Sequence, residues 1–131
     1  MGFKDKINKF ISTHTETREA HSIEALKTRY YKAMKNKAFD EVLAIFQQTP
    51  EFQVGSSDIE RGEIIVKGNG KRKFFLVATI IMVSPNRTAV DFAVTTETSL
   101  PLDFGFSENV IKDIYQQIDK RLEYVGSGLG A

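Results

Sequence analysis

The segment Phe74-Phe-Leu-Val-Ala-Thr-Ile-Ile-Met-Val83 constrains this chain more than any other. It runs ten residues without a charge, about half of what a membrane-spanning helix needs. Turn signals bracket it, Gly68-Asn-Gly70 before and Ser84-Pro-Asn-Arg87 after, so it reads as a strand shared by two hairpins. Successive side chains of a strand point to opposite faces. A strand apolar at nearly every position therefore has two faces to bury, and the second needs a cover: an appended helix, a second subunit or an apolar ligand.

The next segment, Thr88 to Thr98, behaves differently. Val90, Phe92 and Val94 alternate with Asp91, Ala93, Thr95 and Glu97, the pattern of a strand with one buried face. Two shorter β-type segments precede this pair, Phe52–Val54 and Glu63–Lys67, the second following the turn-like Glu60-Arg-Gly62. Residues 22–34 admit two readings. Ile23, Leu26, Tyr30 and Met34 form a helical stripe, whereas Leu26-Lys-Thr-Arg-Tyr-Tyr-Lys32 has β-favouring Thr and Tyr. A strand is preferred because Asn36 can cap the helix that follows.

That helix is expected over Lys37–Gln48, with Phe39, Val42, Leu43 and Phe46 at i, i+3, i+4 and i+7 and Pro50 beyond its end. A second is expected over Ser107–Glu123, where Val110, Ile111, Ile114, Tyr115, Ile118 and Leu122 make a broad apolar stripe. A third, N-terminal helix over residues 1–12 would carry Phe3, Ile7, Phe10 and Ile11 on one face, with Lys4, Lys6 and Lys9 around the rest. Residues 13–21 read as a linker, 22–125 as one α+β domain, and 126–131 as a flexible Gly-rich tail. The expected fold is α+β: an antiparallel sheet of about five strands with two helices packed on one face, plus the N-terminal amphipathic helix.

With 131 residues, one domain is the expectation, and a chain this long buries enough surface to fold without staples. There is no cysteine, which excludes disulfides and thiolate chemistry. The N-terminus has neither the long apolar core nor the cleavage site of a secretory signal, so a cytoplasmic location is expected. Charge is uneven: Met1–Lys37 holds nine Lys/Arg against four Asp/Glu, and the remainder nine against thirteen. This asymmetry fits an anionic partner or a basic segment lying on an acidic body.

No catalytic or metal site can be read from the residues, and no cofactor is expected. His14-Thr-Glu16 and Glu19-Ala-His21 gather two imidazoles and two carboxylates but lack the i, i+4 histidine pair of a helical zinc motif. Gly68-Asn-Gly-Lys71 opens a strand, not the helix a phosphate loop requires. Asp91 and Glu97 share a strand face but lie too far apart to share a proton. Lys67, Lys71, Arg72 and Lys73, with Lys27, Arg29 and Lys32 beside Tyr30 and Tyr31, suit nucleic acid in kind. The near-neutral whole does not.

Leu100-Pro-Leu-Asp-Phe-Gly-Phe106 is an unusually apolar loop. Its phenylalanines either staple the last helix to the sheet or form a lip over a pocket or partner contact.

Four segments, Leu26–Lys32, Glu60-Arg-Gly-Glu63, Arg87–Phe92 and Leu100–Phe106, with the Gly-rich C-terminus, resemble a small uncharacterised family of cytosolic proteins from Gram-positive bacteria. The order strand, helix, four strands, helix is similar to a wider bacterial domain family of unknown function. The resemblance implies a compact α+β sheet domain in a bacterial cytosol and brings no activity or site residues with it.

Three functional expectations follow. The first is a non-enzymatic protein-interaction module that self-associates, motivated by the doubly apolar strand. The second is a binder of a small apolar ligand or lipid, in a cavity between sheet and C-terminal helix. Its candidate contacts, for ligand or partner, are Phe74, Leu76, Phe92, Phe104 and Phe106. The third is peripheral membrane contact through Phe3, Ile7, Phe10 and Ile11.

Overall fold

The computed structural model describes residues 12–21, 23–70, 72–97 and 105–128. Along the chain these form β1 (Ser12–Glu16), a 3-10 turn (Glu24–Leu26), β2 (Arg29–Lys32), α1 (Lys35–Gln48), β3 (Phe52–Asp58), β4 (Glu63–Asn69), β5 (Lys73–Ser84), β6 (Arg87–Glu97), α2 (Phe106–Asp119) and β7 (Glu123–Ser127). The protein is α+β. Among the described residues seven strands form one antiparallel sheet in the order β3-β4-β5-β6-β2-β7, with β1 joining β6 beside β2.

The two long strands organise the sheet. β5 and β6 pair from Phe74–Thr96 to Ser84–Arg87, closed by Pro85 and Asn86. Proline sets the first turn angle, and asparagine tolerates the left-handed φ of 59° at the second. The β3–β4 turn closes on Gly62 at φ 68°, whose carbonyl accepts the Ile80 N–H at 2.7 Å. A Cβ on Gly62 would collide with the Ile80 carbonyl oxygen, so only glycine lets this turn sit against β5.

One face of the sheet carries both helices. Phe92 packs edge-on against Phe46 of α1 and Tyr115 of α2, at centroid distances of 6.4 and 4.9 Å. The core is built from alternate residues of the strands (Ile64, Val66, Leu76, Ala78, Ile80, Val90, Val94) and the apolar stripes of the helices. Tyr115 fixes α2 to the sheet, its hydroxyl donating to the Val90 carbonyl at 2.7 Å.

Several boundaries differ from those read in the sequence. α1 begins two residues earlier than Lys37, and Met34, not Asn36, occupies the capping position without a side-chain bond. α2 begins at Phe106 and stops at Asp119 instead of reaching Glu123. Leu122 is buried although it lies past the helix. The expectation of about five strands is corrected to seven. Ser12–Glu16, inside the expected helix and linker, is a strand held to β6 by backbone pairing, which needs no apolar alternation. Glu123–Ser127, expected as helix end and tail, returns as a strand along the far side of β2. The expected N-terminal helix with Phe3, Ile7, Phe10 and Ile11 lies outside the described residues, as does Phe104.

Candidate functional site

Alternation along β5 divides its apolar residues between two environments. Phe74, Leu76, Ala78 and Ile80 face the helices and are buried. Phe75, Val77, Thr79 and Ile81 face the other way, and Phe75 and Ile81 each keep 51% of their surface exposed. Register places Ile65 of β4 opposite Val77, Lys67 opposite Phe75, and Glu63 opposite Thr79. On the other side Thr95, Ala93 and Asp91 of β6 stand opposite Phe75, Val77 and Thr79. The outer face thus has an apolar centre with a cation at one end of β4 and an anion at the other. Neither long helix packs on this face, because both contact Phe92 from the opposite side.

Towards β2 the same face turns polar. The Asp91 carboxylate accepts from the hydroxyls of Thr28 at 2.6 Å and Thr17 at 2.7 Å. Burial pushes the Asp91 carboxyl above its usual value. The two hydroxyls pull it back, and the nearby charges of Glu19 and Glu16 raise it further. The Tyr30 hydroxyl donates to Glu19 Oε1, and burial together with that carboxylate pushes the phenol up to about 12. Glu19 Oε2 is buried without a hydrogen-bond partner among the described residues. Asp91 lies more than sixty residues from Thr17 and Thr28 in the chain, so sequence spacing gave no sign of the cluster.

The sequence-proposed contact residues separate. Leu76 and Phe92 are sealed in the core at 0% and 2% exposure. Phe74 and Phe106 meet edge-on at 5.6 Å and line a groove of about 510 Å³ between the end of α1 and α2. Ile45, Phe52, Val110 and Ile114 complete its apolar floor. Its rim includes Arg121, which donates to Glu41 at 3.2 Å and to Gln48 at 2.6 Å. Phe106 therefore does what a staple does, joining the start of α2 to β5, and also forms one wall of an opening.

The basic–aromatic segment of β2 is largely internal. Tyr31 is fully buried and donates its hydroxyl to Asp119 at 2.7 Å, while Arg29 bonds the same carboxylate at 2.7 Å. The Arg29 guanidinium also stacks over Tyr124 at 3.9 Å. Tyr30 lies under Arg87 at 4.8 Å. The Tyr30 and Tyr31 rings are buried and serve the fold. His21 likewise has a local use, its Nδ1 accepting the Ile23 N–H at 3.0 Å.

No family model matches this chain, and no curated protein matches it.

Proposed function

We propose that this protein is a non-enzymatic interaction module that docks on another protein surface through the outer face of β4 and β5. One observation carries the reading: Phe75 and Ile81 stand half exposed around the partly covered Ile65 and Val77, on a sheet whose core is complete without them. Contiguous apolar surface of this kind on a folded domain marks a contact site. The bacterial cytosolic setting that the family resemblance implies belongs to the same proposal.

A photoreactive side chain at Thr79, in the middle of this face, tests the reading in cells. Protein adducts are expected from position 79 and not from Asn109, an exposed site on α2 across the sheet. Equal or absent labelling at both positions would overturn it.

The groove between α1 and α2 favours a second reading, a small apolar ligand held against Phe74 and Phe106. Native mass spectrometry of the protein purified without detergent tests it. A co-purifying mass lost in Phe106→Ala is expected; a bare protein mass would end the idea.

A further inference from the structure

We propose that the occupant of the outer face is a second copy of this chain, laid antiparallel so that Lys67 of each copy sits over Glu63 of the partner subunit. The proposal rests on the reading that this face is a contact surface, and names what covers it.

The charges on the face select this arrangement. Glu63 and Lys67 flank Ile65 symmetrically on β4, and Ile65 is opposite Val77 on β5. A two-fold axis lying between two such faces and crossing the strands at Ile65 and Val77 reverses strand direction. It sets β4 over β4 and β5 over β5. Lys67 then meets Glu63 twice, Val77 meets Val77, and Phe75 meets Thr79. On β6 Asp91 meets Thr95, and on β5 the stem of Lys73 lies over Ile81, so none of these charges faces its like. A two-fold along the strands would keep their direction and bring Glu63 level with Glu63 and Lys67 level with Lys67. With the axis over β4 these like charges face one another, and with it over β5 Glu63 faces Asp91, so either placement sets like charges together.

Size is compatible as well. Four strands, β3 to β6, at about 4.8 Å spacing and seven residues at about 3.4 Å give a flat footprint of roughly 450 Å² per copy. Side-chain relief and the greater lengths of β5 and β6 enlarge it towards the roughly 800 Å² per partner of a standard interface. Face-to-face sheets pack about 10 Å apart with strands about 30° from alignment, a rotation small enough to leave both charge pairs in reach.

Sedimentation equilibrium of the full chain over a wide concentration range tests the proposal. Wild-type protein is expected to form a concentration-dependent dimer, and Lys67→Glu and Glu63→Lys should each weaken it by about tenfold or more. Mixing the two variants should restore the dimer as a hetero-pair, because every facing charge is then opposite. Thermal melts of each variant alone confirm that the fold is intact. A dimer indifferent to both substitutions would overturn the proposed register. A monomer at all concentrations would overturn the second copy itself, and adducts to a different protein at position 79 would then leave the contact-surface reading standing. A monomer that dimerises only after removal of residues 1–11 would assign the face in the full chain to that segment and likewise overturn the proposal.

Discussion

Phe74 and Phe75 are neighbours in the chain and opposites in the structure: one keeps 5% of its surface and the other 51%. Phe74 sits edge-on between Phe52 and Phe106, at 5.5 and 5.6 Å, under the helices. Phe75 stands half exposed on the face of the same strand away from both helices. The two-residue period of a strand makes this division unavoidable, and on the proposed reading it separates stability from association at adjacent positions.

Truncating Phe74 to alanine is therefore expected to cost about 3–5 kcal/mol, the range for a buried phenylalanine. Phe75→Ser should change stability by no more than about 1 kcal/mol, since it removes few packed atoms. Urea denaturation measures both effects. Sedimentation should show the reverse order, with Phe75→Ser losing self-association. Equal destabilisation by the two would contradict the division of faces.

Elements with their own apolar pattern were readable in the sequence. α1, α2 and the β5–β6 hairpin were found because their periodicity and turn residues agree with their burial. β1 was not, since Ser-Thr-His-Thr-Glu has no alternation and is held by backbone pairing to residues some eighty positions away. β7 was missed for a related reason: the apolar stripe of α2 runs on to Leu122, which is buried although the helix has already ended. Of the candidate contacts, Phe74 and Phe106 come together because one helix start meets one strand, whereas Leu76 and Phe92 are core. The outer face was visible in the sequence only as surplus, a strand with more apolar residues than one face can use.

Gly62 offers a backbone test of the turn that seats β4 against β5. Gly62→Ala would force a Cβ at φ 68° into the Ile80 carbonyl, and a loss of more than about 1 kcal/mol is expected. Gly55 is the control: its Cβ would meet only the Ile65 carbonyl oxygen at 3.5 Å, an ordinary contact. Gly55→Ala should be nearly neutral in the same thermal or urea melt.

Asp119 joins α2 to β2 through two partners, Tyr31 and Arg29. Asp119→Ala leaves a fully buried tyrosine hydroxyl without its acceptor and takes from the partly buried Arg29 guanidinium its shorter bond, leaving the one to the Tyr31 hydroxyl oxygen at 3.3 Å. Groups left unsatisfied in this way cost roughly 1–3 kcal/mol. Tyr31→Phe removes the smaller partner and should cost less. If the two variants were equally stable to urea, the Arg29–Asp119 bond would add nothing beyond what the Tyr31 hydroxyl contributes through Asp119 and Arg29.

Asp91 gives a pH dependence with a definite sign. Burial raises its carboxyl in the folded protein, so the folded state holds this proton more tightly than the unfolded chain does. Its contribution to stability is fully present below the ordinary aspartate value and is lost as pH rises through the raised one. Asp91→Asn keeps an oxygen acceptor for Thr17 and Thr28 and never ionises. Relative to wild type, the variant should gain melting temperature as pH climbs through that window, then hold a constant advantage above it. Below the window the two proteins should melt together. Thermal melts across a pH series measure this, and a difference that stays the same at every pH would show that Asp91 is not strained by its burial.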